Sequence, residues 1–112
     1  RIQVSSVADL ADASFSFSDP DGWDRRALDA VMERTWRTRA YGDFWSHMLV
    51  AEGAVDIAAE VGLGLWDIAA LIPVIEEAGG RFTSLDGSAP GGFTSLTTNG
   101  LLHDAVLAVM RD

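Results

Sequence analysis

Residues Leu65 to Gly80 constrain this chain more than any other stretch. Apart from Asp67 and the pair Glu76-Glu77, they are apolar or small throughout. A helix with so little polar surface needs cover on most sides, which a layered domain supplies. Gly79-Gly80 closes the stretch as a left-handed C-terminal cap. Pro73, inside it, removes a backbone donor and predicts a kink. Asp67 is the one acid at its entrance. A carboxylate there can cap spare N–H groups and meet the positive end of the helix dipole. It can also ligate a hard cation such as Mg²⁺, which takes carboxylate oxygens and waters. Spacing alone does not choose between the two.

The rest of the chain alternates between strand and helix patterns. Ile2 to Ser5 and Ala13 to Ser18 alternate apolar and polar residues, as half-buried strands do, with a short helical turn between them at Ala8 to Ala13. Asp19-Pro-Asp-Gly22 is a turn whose Asp21 caps a helix with a stripe of Leu28, Val31, Met32 and Thr35. Arg37 and Arg39 lie in a short basic connector. Asp43 then caps a second helix running to about Glu52, with Trp45, Met48, Leu49 and Val50 along it. Val55 to Val61 is a buried strand ended by Gly62 and Gly64. The Leu65–Gly80 helix follows, then strands at Arg81 to Leu85 and Thr94 to Thr98 around a Gly- and Pro-rich loop. A last helix spans Leu101 to Met110. The expected architecture is an α/β layered domain with a mixed sheet flanked by helices.

Composition excludes several functions. A net charge of −9 over 112 residues argues against a nucleic-acid binder and against anionic membrane surfaces. An anionic ligand would need a positive group, most simply a metal ion, to offset that background. There is no cysteine, so disulfide and thiolate chemistry are excluded. No apolar run reaches the roughly 18 residues that span a bilayer. With no leader pattern either, the simplest compartment is the cytoplasm. The chain opens at Arg1 inside a strand-like pattern, which points to a piece of a longer protein.

Besides Asp67, two acids stand at element ends. Glu60 closes the apolar Val55–Val61 strand, where ligands of open α/β sheets gather, although a terminal charge can simply be surfacing. Asp43 opens a helix after Gly42, a residue that permits close approach of backbone to a ligand. Asp19 and Asp21 read as solvated turn acids, and Glu76-Glu77 as an exposed helix face. His47 and His103 have no partner at zinc-ligand spacing and read as structural.

The stretch W-D-I-A-A, followed by E-E-A-G-G, closely resembles the second motif of the inositol-monophosphatase superfamily, W-D-x-A-A/G followed by E-A-G-G. Ile2 to Ser5 is similar to the strand that opens that family's C-terminal half. Gly53 to Glu60 is similar to its G-x-x-D-x-x-x-E segment, and Thr98 to His103 to its A-N-x-x-L-H run. Arg39-Ala-Tyr-Gly-Asp-Phe-Trp45 looks most like the histidinol-phosphate phosphatases of this type. Inositol-directed members carry a small residue where Asp43 stands. The resemblance implies that Asp67 is a metal ligand, that Glu60 contacts the non-phosphate part of the substrate, and that Gly42 and Asp43 line its pocket with Arg39 in support. It also implies a Mg²⁺-dependent phosphomonoesterase in which metal-activated water attacks phosphorus.

The family's Glu ligand and its D-P-(aliphatic)-D-G-T motif, both in the N-terminal half, have no match here. Asp19-Pro-Asp-Gly-Trp23 lacks the residue between Pro and Asp and carries Trp for Thr. The expectation is therefore that residues 1–112 are the C-terminal α/β subdomain of a larger Mg²⁺-dependent phosphatase acting on L-histidinol phosphate, with the N-terminal half as its partner and no activity without it. An inositol- or sugar-phosphate phosphatase is the alternative within the same chemistry. A non-catalytic module that dimerises through its exposed apolar surface is the alternative outside it.

Overall fold

A computed structural model of the chain describes residues 2–17, 23–39, 43–61, 69–90 and 94–111. The expected turn at Asp19–Gly22 with its cap Asp21, the breakers Gly62 and Gly64, and Gly91-Gly92 lie outside the described residues. Among the described residues the strands are β1 (Ser14–Ser16), β2 (Arg37–Arg39), β3 (Ile57–Val61), β4 (Arg81–Thr83) and β5 (Thr94–Thr98). The helices are α1 (Arg25–Arg34), α2 (Asp43–Ala51), α3 (Leu71–Glu77) and α4 (His103–Arg111), with a 3-10 turn at Leu10–Asp12. The sheet order is β2-β1-β3-β5-β4. β2 and β3 each pair parallel to β1, whereas β5 is antiparallel to both β3 and β4, which makes the sheet mixed as expected.

Helices cover both faces. α1 and α4 pack on one through Leu28, Val31, Val106 and Val109, against Phe15, Ile57, Ala59 and Leu96 of the sheet. On the other, Ala51 of α2 meets Leu71 and Ile75 of α3, and Val50 packs on Ala58 of β3. Alternate residues of β3 thus enter opposite cores, the period-two geometry of a central strand. The α1 stripe is Ala27, Leu28 and Val31; Met32, expected within it, is 37% exposed. Asp24 caps this helix, accepting from the Arg26 N–H at 3.0 Å.

Three local expectations change. Arg37–Arg39 is an edge strand rather than a connector: its alternating exposed arginines are how sheet edges stay soluble, so it has no apolar signature to read. Ile2–Ser5 pairs with no strand. Its polar groups go to turns at the sheet's end, with the Val4 N–H on the Ala78 carbonyl at 3.0 Å and the Ser5 hydroxyl donating to Asp56. Asn99 clasps the same segment, donating to Ser5 Oγ at 3.0 Å and to the Val7 carbonyl at 2.7 Å. Of the expected Leu65–Gly80 helix, Ala69-Ala70 form a turn and α3 begins at Leu71, so Pro73 falls in its first turn, where the missing N–H has no intrahelical acceptor to lose, and forces no kink within it.

The close of α3 follows the expected chemistry. Gly79 adopts φ +97°. Its N–H donates to the Glu76 carbonyl at 3.0 Å, and the Gly80 N–H to that of Ile75 at 2.9 Å, the paired bonds of a Schellman cap.

Candidate functional site

Topology locates the site before any side chain does. β1, β2 and β3 run parallel, so their carboxyl ends share one edge of the sheet. The chain leaves β1 for β2 through α1 on one face, then crosses back over β1 to β3 through α2 on the other. Right-handed crossovers in opposite directions require helices on opposite faces. Such a reversal leaves a crevice beyond the carboxyl ends of β1 and β3. Ser16, Arg39 and Glu60 stand at or beside those ends.

Glu60 is 1% exposed, so it is not a strand charge surfacing into water. Ser95 is its register partner on β5. It shares a sheet face with Ala58, the face covered by α2. A carboxylate buried at a strand end is costly unless it is paired or hydrogen-bonded. Asp43 is the first residue of α2 rather than its cap, and its side chain lies outside the described residues, as do Gly42 and Asp67. Arg39 is exposed, and its carbonyl accepts the Phe17 N–H at 3.2 Å, continuing the β1–β2 ladder to the same edge.

The sequence did not disclose what fastens α2 to the sheet. Ser46 and His47 are both fully buried. The Ser46 and Ser16 hydroxyls meet at 2.7 Å. His47 Nδ1 lies 2.7 Å from Thr97 Oγ1, and its Nε2 lies 3.5 Å from Ser95 Oγ. Burial pushes the His47 imidazole down to about 4, so the ring is neutral at pH 7. Between α2 and the sheet there is therefore a polar layer: Ser16, Glu60, Ser95 and Thr97 from the strands, Ser46 and His47 from the helix. Alternating Ser and Thr in strands reads as a solvated face. The one available signal was the adjacent Ser-His inside an otherwise apolar helix.

His103, expected to be structural, is also buried. Thr83 Oγ1 donates to the Ser84 carbonyl at 2.7 Å, so toward His103 it can only accept, which fixes the imidazole proton on Nε2 at 2.8 Å. Nδ1 then accepts from Thr98 Oγ1 at 2.9 Å. Burial first, then the Arg81 charge, lower this histidine to about 4 against a smaller opposing effect of Asp104.

Among the described residues no three acidic, imidazole or thiol groups sit together as a metal site. The described residues by themselves thus do not make up a Mg²⁺ centre. Among them, too, no helix is long and apolar enough to cross a membrane.

Helices on both faces of a mixed five-stranded sheet, with a reversal of strand order between β1 and β3, define a three-layer α/β domain. This chain belongs to the inositol monophosphatase family, whose sequence profile matches residues 1–109. It is 58% identical to the histidinol-phosphatase of Mycobacterium tuberculosis over 96% of this chain and 43% of that protein. With the histidinol-phosphatase of Streptomyces coelicolor the identity is 49%, over 99% of this chain and 44% of the relative. The chain therefore spans less than half the length of these curated relatives. Among solved structures, a Thermotoga maritima IMPase superposes with a TM-score of 0.88 at 30% identity, covering 99% of this chain and 45% of that one. An inositol monophosphatase from Zymomonas mobilis superposes with a TM-score of 0.90 at 23% identity, covering 99% and 47%, and speaks to the fold alone.

Proposed function

We propose that residues 1–112 are the C-terminal α/β part of a Mg²⁺-dependent phosphomonoesterase that hydrolyses L-histidinol phosphate in histidine biosynthesis, in the cytoplasm. The observation that carries the reading is Glu60, an acid buried at the carboxyl end of β3 on the face that α2 covers. α2 opens at Asp43, and Ser46 in its first turn is hydrogen-bonded to Ser16 at the same end of β1. Histidinol carries an amine and an imidazole, so an acid in its pocket offers a charge-assisted hydrogen bond that a neutral polyol does not need. Likeness to two proteins called histidinol-phosphatase supports the substrate.

On this reading Asp43 and Glu60 select the substrate, with Gly42 and Arg39 shaping the pocket. Asp67 is one Mg²⁺ ligand, and the remaining ligands come from the other half of the protein. The 112-residue chain alone is then inactive, because one carboxylate cannot organise the metal. A second reading, a phosphatase of inositol or sugar phosphates, is favoured by 30% identity over the whole chain to the fructose-1,6-bisphosphatase/inositol-1-monophosphatase of Thermotoga maritima.

Phosphate release by the full-length enzyme, from L-histidinol phosphate and from myo-inositol 1-phosphate, separates the two. Asp43→Ser should selectively depress the first; equal loss on both substrates would refute the assignment. Turnover by the isolated chain would refute its predicted inactivity.

A further inference from the structure

We infer that His47 is a positioning residue for substrate selection: its imidazole holds the Ser95 hydroxyl of β5 in place beside Glu60. The inference rests on the reading of Glu60 given above and extends it to residues that act through that acid.

Glu60 and Ser95 are directly opposed in the antiparallel β3–β5 ladder, and both are buried. Opposed residues of such a pair project from the same face, with Cβ atoms about 5 Å apart. Two residues deeper along the ladder Ala58 opposes Thr97, again on that face. His47, fully buried on α2, spans the two β5 hydroxyls. Its Nδ1 lies 2.7 Å from Thr97 Oγ1 and its Nε2 3.5 Å from Ser95 Oγ. The ring therefore bridges from the deeper pair to the pair that carries the acid.

The short bond to Thr97 anchors the ring. The long one, at the outer limit for a hydrogen bond, sets the second nitrogen against Ser95. A neutral imidazole donates from one nitrogen and accepts at the other, so it can satisfy both hydroxyls at once. Phe82 packs beside the ring, with centroids 5.9 Å apart, and confines it on one side. A Ser95 hydroxyl released from the ring turns freely toward the Glu60 carboxylate or away from it. That changes how the carboxylate is presented to a cationic group. Other bonds made by Glu60 do not remove the effect, because the change arises on the Ser95 side of the pair.

The test uses the full-length enzyme and reads the ratio of kcat/KM for L-histidinol phosphate to that for phenyl phosphate, whose ring offers Glu60 no hydrogen-bond donor. His47→Asn keeps an amide near the place of Nδ1 but nothing at Nε2, whereas His47→Gln keeps one near Nε2. His47→Asn and Ser95→Ala should each lower the ratio about fivefold, the size of one buried hydrogen bond. His47→Gln should hold it within about twofold of wild type. A purely structural role would lower both substrates alike and leave the ratio unchanged in every variant. An unchanged ratio in His47→Asn or in Ser95→Ala overturns the inference, as does a loss in His47→Gln as large as that in His47→Asn. If His47→Asn fails to fold, Ser95→Ala, which leaves the Thr97 bond in place, decides alone. Glu60→Gln is measured alongside. A lowered ratio there with an unchanged one in Ser95→Ala sinks the positioning role alone. An unchanged ratio in Glu60→Gln sinks the reading of Glu60 and this inference together.

Discussion

Two buried neutral histidines should make this protein acid-sensitive well above the range where carboxylates titrate. His47 falls from 6.5 to about 4 in the folded state because burial penalises its charged form. Its folded pKa is depressed, so between those values the unfolded chain binds more protons and stability rises with pH. The contribution is complete above about pH 6.5 and is lost as the pH falls toward 4. The full span corresponds to about 3 kcal/mol, of which about 2 kcal/mol is gone by pH 5. His103 is also held at about 4, so it should lose a similar amount over the same window. Urea unfolding at pH 7.5 and pH 5.0 should therefore show a fall of about 4 kcal/mol from these two groups. His47→Gln and His103→Gln should each be less stable at pH 7.5, yet each should shrink the pH-dependent fall by about half. Reading the difference between proteins cancels the carboxylates common to them all. If either variant keeps the full wild-type fall, that histidine is not held neutral by the fold and the argument is wrong for it.

Two further substitutions probe the packing. A Cβ at Gly80 would stand 2.7 Å from the Thr98 carbonyl oxygen and 2.9 Å from Ile75 Cγ2, so Gly80→Ala should cost about 3 kcal/mol. Gly79→Ala, strained only by its φ of +97°, should cost about 1 kcal/mol; thermal melts ranking the two the other way would contradict this. Asp56 accepts from the Ser14 N–H at 2.7 Å and from the hydroxyls of Ser14 and Ser5. Asp56→Ala should cost about 3 kcal/mol and release the Ile2–Ser5 segment. Hydrogen exchange at the Val4 amide would detect the release, and unchanged protection there would show that Ala78 and Asn99 hold the segment without Asp56.

Much of this architecture was legible because it is written in local physics. The Leu28–Val31 stripe has to face a core, and Gly79-Gly80 closes a helix wherever it occurs. Val55–Val61 is too apolar for an edge strand, which places Glu60 at the end of a central one. The residues of the candidate site were legible only through resemblance. By spacing alone, Asp43 and Asp67 were as good as caps, and Glu60 could have been a surfacing charge.

Tertiary structure decided what depends on a distant partner. Arg37–Arg39 becomes a strand because β1 offers it a ladder, a pairing across some twenty residues that leaves no periodic mark. Ile2–Ser5 has the alternation of a strand, yet Asp56, Ala78 and Asn99 draw its polar groups to turns instead. Ser46 and His47 look misplaced in an apolar helix until the hydroxyls of Ser16 and Thr97 are brought beneath them. Apolar periodicity announces that a face is buried but not by what. A buried polar residue announces nothing until its partner is in place, because the energy that justifies it resides in the pair.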